Sequence, residues 1–133
     1  PSLPRWLERV GNWGITPSTS VLIYDADNGG MAAARAWWML RAIGHASLAV
    51  IDGGWAALRA AGAPSAREEV KPRPGPPSAS GVEAWPTVDA AFVERVRNDS
   101  NWRVVDARAP ERYAGESEPI DPVAGHLPGA HNL

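Results

Sequence analysis

A proline-rich stretch divides this chain and limits what either side of it can fold into. Between Ala63 and Trp85 stand Pro64, Pro72, Pro74, Pro76 and Pro77, interspersed with charges, glycine and serine. Proline removes a backbone donor and favours extended conformations. The segment is therefore expected to act as a linker that runs along a surface rather than joining a sheet. At 133 residues the chain suits one ordinary domain or two incomplete ones.

The section before the linker, residues 1–62, reads as alternating helix and strand. Arg5 to Val10 forms a short helical stretch closed by Gly11 or Gly14. Val21-Leu22-Ile23-Tyr24 is a continuous apolar run, the pattern of a strand buried on both faces. After the turn-rich Asp25 to Gly30, a helix is expected over Met31–Ile43. Its Ala33, Ala36, Trp37, Leu40 and Ile43 share one face, and Gly44 sits where a C-terminal cap belongs. Leu48-Ala49-Val50-Ile51 reads as a second buried strand, and Trp55–Ala61 as a helix capped by Gly62. Strand, helix, strand in that order makes a parallel crossover unit.

Beyond the linker, residues 86–133 open with a helix from Val88 to about Arg97, with Thr87 as the expected N-cap. Trp102 to Asp106 is a strand. A long irregular segment, Ala107 to Gly125, leads into His126-Leu127-Pro128-Gly129-Ala130. A lone strand and helix cannot bury their apolar faces, so this section resembles half a domain.

Composition narrows the function classes. With 13 basic and 15 acidic residues the net charge is −2, which gives no hint of a nucleic-acid or membrane partner. No apolar run reaches the length needed to span a bilayer, and a soluble cytoplasmic protein is the default expectation. There is no cysteine, hence no disulfide framework. His126 and His131 flank Pro128-Gly129 with no cysteine or converging carboxylates, so no metal site is expected.

Several of these short motifs resemble pieces of one family. Val105-Asp106-Ala107-Arg108, Glu111-Arg112-Tyr113, Glu118-Pro119-Ile120-Asp121-Pro122 and Gly125-His126-Leu127-Pro128-Gly129-Ala130-His131-Asn132 resemble the opening half of a rhodanese domain. Tyr24-Asp25, Ala34 to Arg41, Gly44-His45 and Asp52-Gly53-Gly54-Trp55 resemble the closing half of one. Closing half, linker, opening half is the order found in the middle of a tandem-domain sulfurtransferase of the thiosulfate or 3-mercaptopyruvate type. The resemblance implies an α/β fold, a rhodanese-like parallel sheet flanked by helices, present as two half-domains joined by the linker. It assigns residues 1–62 to the end of a catalytically silent domain, 63–85 to the linker, and 86–133 to the start of the catalytic one.

The same resemblance implies sulfur transfer from a small anionic donor to a thiophilic acceptor such as cyanide or a thiol, through a cysteine persulfide. It implies no metal or organic cofactor. The chain lacks the nucleophile, so the fragment alone is expected to be inactive. A non-catalytic binding or scaffold module of the same fold is the alternative. Two incomplete halves could also dock as a permuted domain or exchange between two copies.

Asp25 stands where an active domain of this family has its cysteine, and is expected to cap the loop and helix. Arg112 matches the family's substrate-binding arginine; otherwise it pairs on the surface with Glu111 or Glu116. The resemblance implies that Asp106 and Arg108 form a buried pair, or hydrogen bonds, that shape the loop, and His126 is expected to fix the turn before the next strand. Where mercaptopyruvate-type relatives tend to carry a second arginine, this chain has Ile120 and Asp121, which tilts the expected donor slightly towards thiosulfate or an unassigned donor. His45 is expected to satisfy terminal carbonyls of its helix, Trp37 to pack in the core, and Trp38 to face a partner domain.

Overall fold

The computed structural model describes residues 1–77 and 81–133; Ser78 to Ser80, within the stretch expected as a linker, lie outside the described residues. The chain forms two compact units, Pro1–Pro86 and Thr87–Leu133.

In the first unit, α1 (Leu3–Asn12) carries Pro4 in its first turn, where a missing amide costs nothing. It is followed by β1 (Val21–Ile23), α2 (Ala32–Ala42), β2 (Leu48–Val50) and α3 (Gly54–Ala60). β1 and β2 pair in parallel, with Val21 opposite Leu48 and Ile23 opposite Val50, and α2 supplies the crossover. The core joins Leu3, Trp6 and Val10 of α1 to Met39 and Leu40 of α2 and to Ile43. Val21, Ile23 and Leu48 pack against it from the sheet.

Three expectations are corrected by the structure. The strands are buried on one face only: Leu22 is 68% exposed and Ala49 lies open beside it, because no element among the described residues covers that side. Trp37 is 37% exposed rather than in the core. The buried stripe of α2 runs through Ala33, Met39 and Leu40, which leaves Trp37 on the flank. Trp38 stacks on Trp85, with ring centres 5.6 Å apart. His45, fully buried, places Nε2 at 2.9 Å from the Thr19 carbonyl instead of bonding the end of α2 with its side chain.

The proline-rich stretch folds back on the first unit. Gly75 donates its amide to the Gly11 carbonyl at 3.0 Å, and Trp85 Nε1 donates to the Pro1 carbonyl at 3.2 Å. Val82 and Trp85 pack against the core.

The second unit contains α4 (Ala90–Val96), β3 (Val105–Asp106), α5 (Pro110–Ala114) and β4 (His131–Asn132). The N-cap of α4 is Asp89, which accepts from Phe92 N at 2.7 Å, and not Thr87. The segment expected to be irregular contains α5, which starts at Pro110 and stops at Gly115, in the left-handed region at φ 80°. β3 and β4 are parallel, Val105 opposite His131 and Asp106 opposite Asn132. No helix among the described residues is long and apolar enough to cross a membrane.

Candidate functional site

The second unit gathers five charged residues, Asp106, Arg108, Arg112, Glu118 and Asp121, at the end of β3. Asp106 closes the strand, and its carboxylate turns back to accept from the Arg108 amide at 3.0 Å and from Arg108 Nη2 at 2.7 Å. Arg108 Nη2 also donates to the Gly125 carbonyl at 2.7 Å, tying the strand end to the loop before β4. Asn132 Nδ2 completes the tie from β4 by donating to the carbonyls of Asp106 and Arg108, at 3.0 and 2.8 Å. The Asp106–Arg108 pair expected from sequence is present. It is partly exposed rather than buried, with the arginine side chain 26% exposed.

α5 then aims Arg112 at the same place. Arg112 Nη2 and Nε donate to Glu118 Oε1 at 2.7 and 3.1 Å, and Nη2 also donates to Asp121 Oδ2 at 2.9 Å. Neither Glu111 nor Glu116 is its partner. The helix ends at Ala114 and Gly115 reverses the chain, so Glu116 never reaches the position one turn on. That reversal instead delivers Glu118, whose side chain is only 5% exposed.

Glu118 is the hub that sequence reasoning did not identify. Besides Arg112 it accepts from Arg108 Nη1 at 3.3 Å and from the amides of Ile120 and Asp121 at 3.1 and 3.0 Å. The Arg112 side-chain bond, with help from the Asp121 amide, holds its carboxyl down at about 2. The Arg108 side-chain bond likewise holds Asp106 at about 2, and Asp106 in return raises Arg108. Both carboxylates are therefore charged throughout the neutral range, and the arginines are fixed rather than free to wander.

His126 lies on the neighbouring loop. Its ring stacks on Tyr113 with centres 3.7 Å apart, and Nδ1 is 2.8 Å from the Tyr113 carbonyl. A carbonyl can only accept, so Nδ1 carries the hydrogen. Tyr113 donates its hydroxyl to the Ala130 carbonyl at 2.9 Å, and the pair thus fixes the turn into β4. Among the described residues no three side chains of the metal-binding types converge.

In the first unit, Asp25 follows β1 and fills the loop that leads into α2. Oδ1 accepts from Gly29 N at 2.8 Å and Asp27 N at 3.2 Å, and Oδ2 from Ala33 N at 3.1 Å. The Ala33 amide is the main cause of a lowered carboxyl pKa. The side chain sits where it interacts well with the N-terminus of α2. Arranged this way, the loop holds an anion of its own making.

Comparison with known proteins gives a consistent picture. No family model matches the chain. The chain is 42% identical over 123 residues to the "Probable 3-mercaptopyruvate sulfurtransferase" of Pseudomonas aeruginosa, covering 89% of this chain and 41% of that protein. It is 32% identical to the human 3-mercaptopyruvate sulfurtransferase and 32% identical to the thiosulfate sulfurtransferase of Cricetulus griseus. In each case all of this chain and 46% of the relative are covered. The chain thus spans somewhat under half the length of the curated relatives it matches. Among solved structures it superimposes on the Escherichia coli 3-mercaptopyruvate enzyme SseA, which has the rhodanese fold. The TM-score is 0.74 at 25% identity, over 96% of this chain and 47% of that one. The Leishmania major 3-mercaptopyruvate sulfurtransferase matches with a TM-score of 0.74 at 29% identity, over 100% of this chain and 36% of that one.

Proposed function

As a member of the rhodanese-fold 3-mercaptopyruvate and thiosulfate sulfurtransferases, this chain is, we propose, the central segment of a two-domain sulfurtransferase. Residues 1–62 close a catalytically silent domain and 86–133 open the catalytic one, with the sulfur-carrying cysteine outside these 133 residues. The protein works on small molecules in the cytoplasm, with no nucleic-acid or membrane partner. The observation that carries this reading is the Arg112 fork, pinned by a nearly buried Glu118, with only the half-exposed Asp121 over its outer edge. A permanently charged, planar donor set held in one orientation suits a small oxyanion.

The chemistry is a double displacement. A cysteine thiolate attacks the outer sulfur of thiosulfate, the S–S bond breaks, and sulfite leaves with the electron pair. With 3-mercaptopyruvate the C–S bond breaks instead, and the pyruvate enolate takes up a proton as it departs. An acceptor thiolate or cyanide then attacks the outer persulfide sulfur and returns the electron pair to the cysteine. Arg112 orients the anionic donor, while Asp106, Arg108 and His126 hold the loops in register. In the first unit, Asp25 satisfies the loop amides with a side chain that cannot carry sulfur, which supports a silent role there.

Steady-state sulfur transfer by the natural-length protein, with and without Arg112→Gln, tests the reading. Loss of a charge-assisted, forked contact of about 1.5–3 kcal/mol raises the donor KM by about 10-fold or more. An unchanged KM would remove Arg112 from the donor site.

A further inference from the structure

The charges at the end of β3 do not cancel. Asp106, Glu118 and Asp121 face Arg108 and Arg112, so the cluster carries one more negative charge than positive. Its members are not equally committed. Glu118 is 5% exposed and bonded on both oxygens by side chains and backbone amides. The Asp121 side chain is 53% exposed, touches Arg112 Nη2 at 2.9 Å, and lies 3.9 Å from Arg108 Nη1. It thus covers the outer edge of both guanidinium groups, where an incoming anion has to bind. Removing its charge leaves Arg112 anchored, because Glu118 grips the fork through both Nε and Nη2.

We propose that Asp121 is a resident competitor for the Arg112 fork and acts as a charge filter that favours singly charged donors over doubly charged ones. The inference rests on Arg112 being the donor-binding residue. A carboxylate that must be displaced, or left beside the guest, repels a dianion about twice as strongly as a monoanion. The absence of a second arginine near Ile120 argues for thiosulfate, whereas the charge sum argues for a monoanionic mercapto-acid. The charge sum acts directly on the fork, and it decides the direction.

The test is a titration of the ¹⁵N-labelled 133-residue chain at low salt, following the backbone amides of Glu118 and Ile120 in every variant and the Arg112 Nε–H resonance wherever the arginine is present. The probes are thiosulfate, a dianion, and pyruvate, a monoanion. With charges about 5 Å apart in water, Asp121→Asn is expected to tighten pyruvate on the order of fourfold and thiosulfate on the order of sixteenfold. Asp121→Glu, which keeps the charge, is expected to retain the wild-type affinities. Equal gains for both anions, or no gain, would overturn the charge filter while Arg112→Gln still abolished binding. If Arg112→Gln binds both anions as tightly as the wild type, the donor-site reading itself fails. If neither anion perturbs these resonances in any variant, both ideas fail together.

Discussion

Arg112 and Glu118 are six residues apart in sequence, yet the guanidinium reaches both carboxylate oxygens of Glu118, with Nη2 to Oε1 at 2.7 Å and Nε to Oε2 at 3.2 Å. Gly115 makes this possible by reversing the chain directly after α5. The pairing fixes an arginine at the end of a parallel sheet, and the electrostatics of the second unit follow from it.

A pH dependence is one consequence. Glu118 and Asp106 are held at about 2 in the folded chain, against ordinary values of 4.5 and 3.8. Lowered folded-state values stabilise the charged native form. Their contribution is fully present above about pH 5 and is lost as the pH falls from there to about 2. A ¹³C carboxyl titration by NMR is expected to place both midpoints near 2, and Arg112→Gln to move the Glu118 midpoint back up. Midpoints at the ordinary values would refute the paired geometry.

The Asp25 loop makes a second, chemical prediction. Its carboxyl is lowered chiefly by the Ala33 amide, and then by Gly29 and Asp27. These donors remain in Asp25→Cys, which by the family resemblance restores the residue type of an active loop. The new thiol is expected to titrate below the ordinary value of about 8.5. The pH profile of alkylation rate measures this. A thiol titrating at or above that value means the amides do not serve an anion placed there.

Gly54 and Gly62 form an internal control. Both have positive φ, 54° and 74°. A Cβ at Gly54 collides with the carbonyls of Asp27 and Asp25, whereas one at Gly62 meets nothing within 4 Å. Gly62→Ala is expected to cost about 1 kcal/mol from backbone strain alone, and Gly54→Ala clearly more. Urea unfolding of the two variants reads the difference, and equal costs would show that the Asp25 loop gives way freely.

Helix α4 allows a direct choice between two caps. Asp89→Ala is expected to destabilise the second unit by about 1 kcal/mol, and Thr87→Ala by a few tenths at most. Trp102 is the only tryptophan of that unit and packs edge-on against Phe92, with ring centres 5.1 Å apart. A fluorine label at Trp102, 5-fluorotryptophan observed by ¹⁹F NMR, reports this unit's unfolding. A larger loss from Thr87→Ala would reverse the assignment.

The parts of the fold that could be read from the chain are those written by period and punctuation. β1, α2, β2 and α3 fall within a residue or so of their apolar runs and closing glycines. One-sided burial of Leu22 was not readable, because a continuous apolar run looks the same whether or not something covers its second face. α5 was missed for a different reason. Five residues are too few to display a helical period, although Pro110 at its start and Gly115 at its end were both visible signals. At the site, Arg112, Asp106, Arg108 and His126 were legible as motif positions. Glu118 is visible in the sequence as part of a motif but not as the hub, since its partners are brought together by a chain reversal that no spacing rule encodes.

Sulfur transfer from thiosulfate and from 3-mercaptopyruvate to cyanide decides whether the catalytic cysteine lies outside these 133 residues. It is run side by side on the 133-residue chain and on the protein as its own organism makes it. No turnover is expected from the Cys-free chain. Turnover is expected from the natural-length protein, with one cysteine gaining a sulfur atom by mass spectrometry and the donor KM raised by Arg112→Gln. Turnover by the 133-residue chain, or a natural-length protein that forms no persulfide, would contradict that placement of the cysteine.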